Sequence, residues 1–147
     1  MPSRTLVYLD ELVMAHEWVS SDGPVETAAY VSRIDGSIHW QGEGVEEELP
    51  EDIEDDTRYV QVPHRRDLDL GSHLALRFAA QQLPDADYEQ VRAIFGRRGA
   101  FGRFKALLDH RGKLQLWYDY QDQALTAALR EWCEDSGLEL SEKRREP

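Results

Sequence analysis

Tyr59-Val60-Gln61-Val62-Pro63, followed after a short polar break by Leu70-Gly71-Ser72-His73-Leu74-Ala75-Leu76-Arg77-Phe78-Ala79-Ala80-Gln81-Gln82-Leu83, is where this chain changes period. Up to the proline the residues alternate apolar and polar, and a proline that cannot donate to a ladder closes the run, as at the end of a strand. Beyond it Leu70, Leu74 and Phe78 form one helical row and Leu76, Ala80 and Leu83 another, which predicts a helix over 70–82 with a broad buried face. The helical period then persists. Pro84-Asp85 breaks that helix and caps the next, whose stripe is Tyr88, Val91, Ile94 and Phe95 and whose end is Gly96 as a left-handed C-cap. A helix over 100–110 carries Phe101, Phe104, Leu107 and Leu108 inward, and Gly112 stops it. The last helix, 114–135, repeats Leu114, Trp117, Tyr118, Gln121, Leu125, Ala128, Leu129 and Trp132, with Tyr120 expected at the surface and Ser136-Gly137 as its end.

Upstream of the proline the pattern is mixed. Asp10 is the expected N-cap of a first helix reaching about Trp18, with Leu9 and Met14 at the spacing of a hydrophobic staple and Leu9, Leu12, Val13 and His16 facing inward. Residues 27–34 read as a strand, and Asp35-Gly36 before Ser37-Ile38-His39-Trp40 signals a hairpin. A two-residue turn sets Val31 opposite Trp40 but places Arg33 opposite Ile38 on the same face, a mismatch that a longer turn removes by shifting the register. With 59–63 as third strand, the fold class is α+β: an N-terminal helix, a small three-stranded antiparallel sheet, then a C-terminal bundle of about four helices. Residues 1–140 are expected as one domain around a single core, and 141–147 as a charged, frayed tail.

The 147 residues are 41% hydrophobic with four Trp, six Tyr and four Phe, too aromatic for a disordered acidic chain. No apolar run approaches the roughly 18 residues that span a bilayer, and no signal-peptide pattern opens the chain. A cytoplasmic location is expected, without a membrane partner. Cys133 is the single cysteine, so no intrachain disulfide forms, and its setting is that of a small buried hydrophobe. The formal net charge is −12. Such acidity opposes generic nucleic-acid binding and leaves only a local patch able to hold an anion.

That patch is Arg97-Arg98-Gly99-Ala100-Phe101-Gly102-Arg103-Phe104-Lys105. From Arg92 to Lys113 seven basic residues face one acidic residue, Asp109, a local charge of +6 that leaves −18 on the remainder. The motif Arg-Gly-Ala-Phe-X-Arg-Phe-Lys is the most specific part of a wider likeness. Leu9-Asp10-Glu11-Leu12-Val13, the Asp-Gly hairpin, Asp56-Thr57-Arg58-Tyr59-Val60-Gln61-Val62-Pro63 and Arg130-Glu131-Trp132-Cys133-Glu134 supply the rest. Together they resemble a bacterial uncharacterised protein family of small acidic proteins. That family's pattern has an apolar residue at the position of His16 and an aliphatic one at Cys133. The resemblance implies an α+β fold and a bacterial, cytosolic origin, and brings no activity, substrate or catalytic residue.

A glycine turn feeding a helix at Ala100 aims free backbone N–H groups outward, and Arg97 and Arg98 stand just upstream. Arg97, Arg98, Gly99, Arg103 and Lys105 are therefore the expected anion-binding residues, although Arg103 and Lys105 fall on opposite sides of the helix. The other reading makes the glycines turn formers, the two Phe core, and the cations partners of residues 43–56 or of Asp119 and Asp122. Residues 43–56 hold nine acidic residues and no basic one. They lack the spacing of a calcium loop and are expected as a solvated edge with one helical turn, or as a surface that mimics nucleic-acid charge. The five histidines make no zinc spacing, and the serines and Cys133 lack an activating context. No catalytic residue, metal or cofactor is indicated. The function expected is a non-enzymatic module binding an anionic group on a protein partner or small ligand. The alternative is an enzyme or nucleic-acid-associated factor acting on phosphorylated substrates through the same basic residues.

Overall fold

A three-stranded antiparallel sheet forms where the alternating segments lie, with β2 (Ala28–Ser32) between β3 (Ile38–Gln41) and β4 (Tyr59–Gln61). Before it come β1 (Thr5–Tyr8) and α1 (Leu9–Ser20). After it come α2 (Ser72–Gln82), α3 (Asp85–Ile94), α4 (Ala100–His110), α5 (Leu114–Asp135) and β5 (Leu138–Ser141). The computed structural model describes residues 4–21, 23 and 26–143; of the predicted tail, 144–147 lie outside them. The class is α+β as read from the sequence. The strand arrangement departs from that reading, because β1 and β5 form an additional two-stranded parallel sheet. Internal contacts gather into two compact units, one made of the chain through Leu68 together with Thr126 onward, the other of Asp69–Leu125.

In the first unit the hairpin takes the longer turn. Val31 pairs with Ile38 and Ala29 with Trp40, so the strands shift by two residues from the register that a two-residue turn imposes. Five residues, 33–37, then lie between the strands, held by the Ser32 hydroxyl accepting from Ile34 N–H at 3.2 Å and by the Asp35 carboxylate accepting from Ser37 N–H at 2.9 Å. Arg33 thereby leaves the sheet, and β2 keeps four of its five residues buried. Gly36 sits at φ 75, and a Cβ there would lie 2.0 Å from Leu6 O. β1 runs straight into α1 through an extended Tyr8, so no side chain caps this helix. Asp10 instead lies in its first turn and accepts from Glu11 N–H at 2.9 Å. Met14 is 63% exposed, which removes it from any staple with Leu9. Leu12, Ala15, His16 and Ser20 are the buried residues of α1. The His16 Nδ1–H donates to Pro63 O at 2.8 Å, and burial holds its imidazole below the ordinary 6.5. The β5 strand alternates buried Leu138 and Leu140 with exposed Glu139, and Gly137 at φ 76 ends α5 just before it.

In the second unit α2 presents Leu74, Ala75, Phe78 and Ala79, so its second buried row runs through Ala75 and Ala79 instead of Leu76 and Ala80. Asp85 and Asp87 fall in the first turn of α3, where carboxylates complement the helix dipole. Trp117 is fully buried, with ring centroids 5.0 Å from Phe104 and 5.3 Å from Phe78, and Tyr120 stacks on it at 6.2 Å. Tyr120 is thus part of the core and Tyr118 is the exposed ring, because residues three apart share a helix face and adjacent ones do not. Among the described residues the buried Trp117 Nε1–H has no hydrogen-bond partner. Leaving it so costs about 1–3 kcal/mol, less than the about 4–6 kcal/mol that burying such a ring contributes.

Gly36→Ala is expected to destabilise the protein by at least about 1 kcal/mol more than Gly112→Ala. Both force a left-handed Ala at about 1–2 kcal/mol, but only Gly36 also meets a backbone oxygen. Urea unfolding of the two variants checks this. For His16 the folded state resists the proton that the unfolded chain accepts. Its contribution to stability is therefore complete above pH 6.5 and is lost as pH falls through the lower folded value. Melting temperatures between pH 7.5 and 5 are expected to fall less steeply for His16→Asn than for the parent.

Candidate functional site

The cationic segment folds as a helix end, a reversal and a helix start. α3 closes with Arg97 N–H donating to Ile94 O at 3.1 Å and Gly96 N–H to Ala93 O at 3.3 Å. Gly96 is not left-handed, which corrects its reading as a C-cap; the left-handed residue is Gly99, at φ 71 and ψ 23, the N-cap of α4. A tight turn therefore carries the chain out of α3, and the reversal is made three residues later. The first backbone bond of α4 is Arg103 N–H to Gly99 O at 3.2 Å. Ahead of it the N–H groups of Ala100, Phe101 and Gly102 have no backbone acceptor among the described residues. Phe104, Leu107 and Leu108 face inward, while Phe101 is 38% exposed and rests edge-on against Phe95 with centroids 5.0 Å apart.

The cations divide into two groups. Arg111, the C-cap residue of α4, grips Asp87 with two parallel bonds, Nε to Oδ2 at 2.9 Å and Nη2 to Oδ1 at 3.0 Å. The guanidinium holds the Asp87 carboxyl below its ordinary range, and the pair ties the start of α3 to the end of α4. Arg92 lies 3.6 Å from Glu89, and the Lys105 ammonium stands 5.8 Å from the centre of the Tyr118 ring. Arg97, Arg98 and Arg103 are exposed and have no ion pair among the described residues. Of the five residues expected to bind an anion, Arg97, Arg98, Gly99 and Arg103 cluster around the start of α4. Lys105 lies about 160° round the helix from Arg103 and leans on Tyr118.

The acidic stretch finds partners within its own unit. Arg58 Nη1 lies 2.7 Å from Asp52 Oδ2 and its Nε 3.8 Å from Asp55 Oδ2, and His39 Nδ1 is 3.3 Å from Glu47 Oε1. Among the described residues no cluster of three or more His, Cys, Asp or Glu is arranged to hold a metal ion. Cys133 is fully buried, which pushes its thiol up to about 11 and leaves it without thiolate character. His64 accepts at Nδ1 from the Arg66 backbone N–H at 3.0 Å, and both line a polar depression of the first unit with Glu26, Thr27 and Asp67. No helix among the described residues is long and apolar enough to cross a membrane.

Beside the unpaired arginines lies a feature that the sequence reading missed. Gln90 and Ile94 of α3 and Arg103, Ala106, Leu107 and His110 of α4 line an open groove of about 330 Å3. Periodicity assigned Ile94 and Leu107 to the core without showing that Ala106, too small to fill the space between two helix ridges, leaves their outer edges accessible. The signal was present as a small residue one turn beyond Arg103. Compared with protein-family models, curated proteins and solved structures, the chain has no match.

Arg111→Ala is expected to lower the urea midpoint, whereas Arg97→Ala/Arg98→Ala leaves it unchanged, since only Arg111 has a carboxylate to hold. The Arg111→Ala deficit should shrink as pH drops below 3.8. There the depressed folded value of Asp87 means that the parent loses the pair's contribution. Equal deficits in the two variants would show that the arginines of the turn are structural.

Proposed function

We propose that this protein is a non-enzymatic binding module of the bacterial cytoplasm, related to the small acidic family its Arg-Gly-Ala-Phe-X-Arg-Phe-Lys motif resembles. Its cationic turn, residues 97–105, binds an anionic group carried by a protein partner or small ligand. One observation carries this reading. Among the described residues Arg97, Arg98 and Arg103 are exposed and have no ion pair, beside three N–H groups without a backbone acceptor, although the chain as a whole bears an excess of carboxylates. Arg111, Arg58 and Arg130, by contrast, each hold a carboxylate partner. Three cations left open at a helix start make a field that attracts carboxylate or phosphate, with backbone donors to orient it. Lys105 adds charge at longer range. The acidity of the remaining surface opposes polyanions, so the ligand is a local anionic group and not an extended nucleic acid.

Thermal unfolding with phosphate, citrate and a phosphopeptide tests this. An anion present at about 100 times its Kd adds about 2.7 kcal/mol, which raises Tm by about 5–10 °C for a chain of this size. The rise is expected to vanish in Arg97→Ala/Arg98→Ala. Salt-sensitive binding of RNA or DNA that the same substitution abolishes would favour the nucleic-acid alternative. The absence of any anion effect, with a destabilised double variant, would assign these arginines a structural role.

A further inference from the structure

The groove between α3 and α4 and the unpaired arginines are parts of one surface. Arg103 belongs to both, as it lines the groove and lies in the first turn of α4. Ile94, the last residue of α3, and Arg103 mark the end of the groove next to the connector that bears Arg97 and Arg98. Gln90 and His110 lie farther along the two helices. The floor is apolar, formed by Ile94, Ala106 and Leu107, and its volume of about 330 Å3 admits one or two aliphatic side chains. The one charged side chain in its lining is a cation, Arg103. Arg97, Arg98 and Arg103 are free at one end, and among the residues lining the groove no carboxylate appears. The one acidic residue of the segment that bears these cations, Asp109, is not part of the lining.

We infer that this surface takes an acidic amphipathic peptide segment of a partner protein, with an apolar anchor seated against Ile94, Ala106 and Leu107 and carboxylates on the arginines of the turn. The inference rests on the anion-binding reading above and narrows its ligand to a class. Two features favour a peptide. The groove is open between two helices with an apolar floor, which suits the apolar stripe of a helix, and Arg97 and Arg98 follow Ile94 in the chain, so further cations stand near its end for acidic side chains. A second copy of the chain is disfavoured as occupant, because two bodies of net charge −12 repel each other.

The test is titration calorimetry and amide chemical-shift mapping on the full chain. The probe is a short synthetic helix bearing Leu residues one turn apart amid Glu, with a matched peptide carrying Ser for Leu, inorganic phosphate, and single-stranded DNA. The Leu peptide is expected to bind about tenfold or more tightly than the Ser peptide, with shifts at Ile94, Ala106 and Leu107. Ala106→Trp, which fills the groove from an exposed position, is expected to remove that difference, and Arg97→Ala/Arg98→Ala to weaken both peptides. Circular dichroism melting confirms that each variant folds, and Ala106→Gln serves as a second groove variant. Equal binding of the two peptides overturns the groove proposal while the anion reading stands. Failure of phosphate and both peptides overturns both. Tighter binding of the DNA than of the Leu peptide overturns the assignment to a protein partner.

Discussion

The Arg33 guanidinium holds together three parts of the first unit that share no secondary structure. Its Nε–H donates to Asp56 O at 2.8 Å, and its Nη1–H donates to Ser136 O at the end of α5. Its own backbone is held as well, with N–H bonded to Arg58 O at 2.8 Å and the carbonyl accepting from the Thr5 hydroxyl at 2.6 Å. Hairpin, acidic loop, α5 terminus and β1 thus meet at one residue. The acceptors are carbonyl oxygens that turns leave unpaired, and a planar cation with several donors is well shaped to satisfy them. The longer hairpin turn follows from this. With Arg33 in the ladder its side chain would lie among apolar residues of one sheet face; outside it, the guanidinium reaches two other segments and Val31 takes its place opposite Ile38.

The second unit is organised by aromatic packing and one ion pair. Phe78, Phe104, Trp117 and Tyr120 make a continuous set of edge-on and stacked rings, and Asp87 with Arg111 joins the opposite ends of the α3–α4 hairpin. Arg111 thereby serves the fold, while Arg97, Arg98 and Arg103 near the connector have no ion pair among the described residues. A net charge of +6 over 92–113 is a single property in the sequence but two in space, since part is spent on structure and part stays open. The open part adjoins an apolar groove, and this combination favours an amphipathic acidic ligand over a simple salt effect.

Much of the fold was legible. The bounds of α4 and α5 coincide with those read from the hydrophobic period, because both helices are long, strongly periodic and closed by glycines that adopt positive φ, Gly112 and Gly137. The mismatch at Arg33 was visible as a frustrated register, and its resolution by a longer turn was foreseen as a direction. What escaped was short or non-local. β1 and β5 are four residues each and pair in parallel across nearly the full chain, so no local signal joins them. Phe101 read as core because its spacing from Phe104 is helical, yet it lies at the first turn, where a helix protrudes from its neighbours. For the candidate site, the five residues were legible as a cluster of charge, while the groove beside them arises from two helices and appears in neither alone.

By itself the sequence determined the α+β class, the strand character of 28–32, 38–41 and 59–61, and the four helices between 72 and 135, since these depend on period and turn residues, all local in the chain. Tertiary structure alone decided which arginines are engaged, which aromatic ring is buried, and that Ile94, Ala106 and Leu107 share an accessible groove with Arg103. Each of those outcomes depends on a distance between residues far apart in sequence, and composition and spacing carry no record of distance.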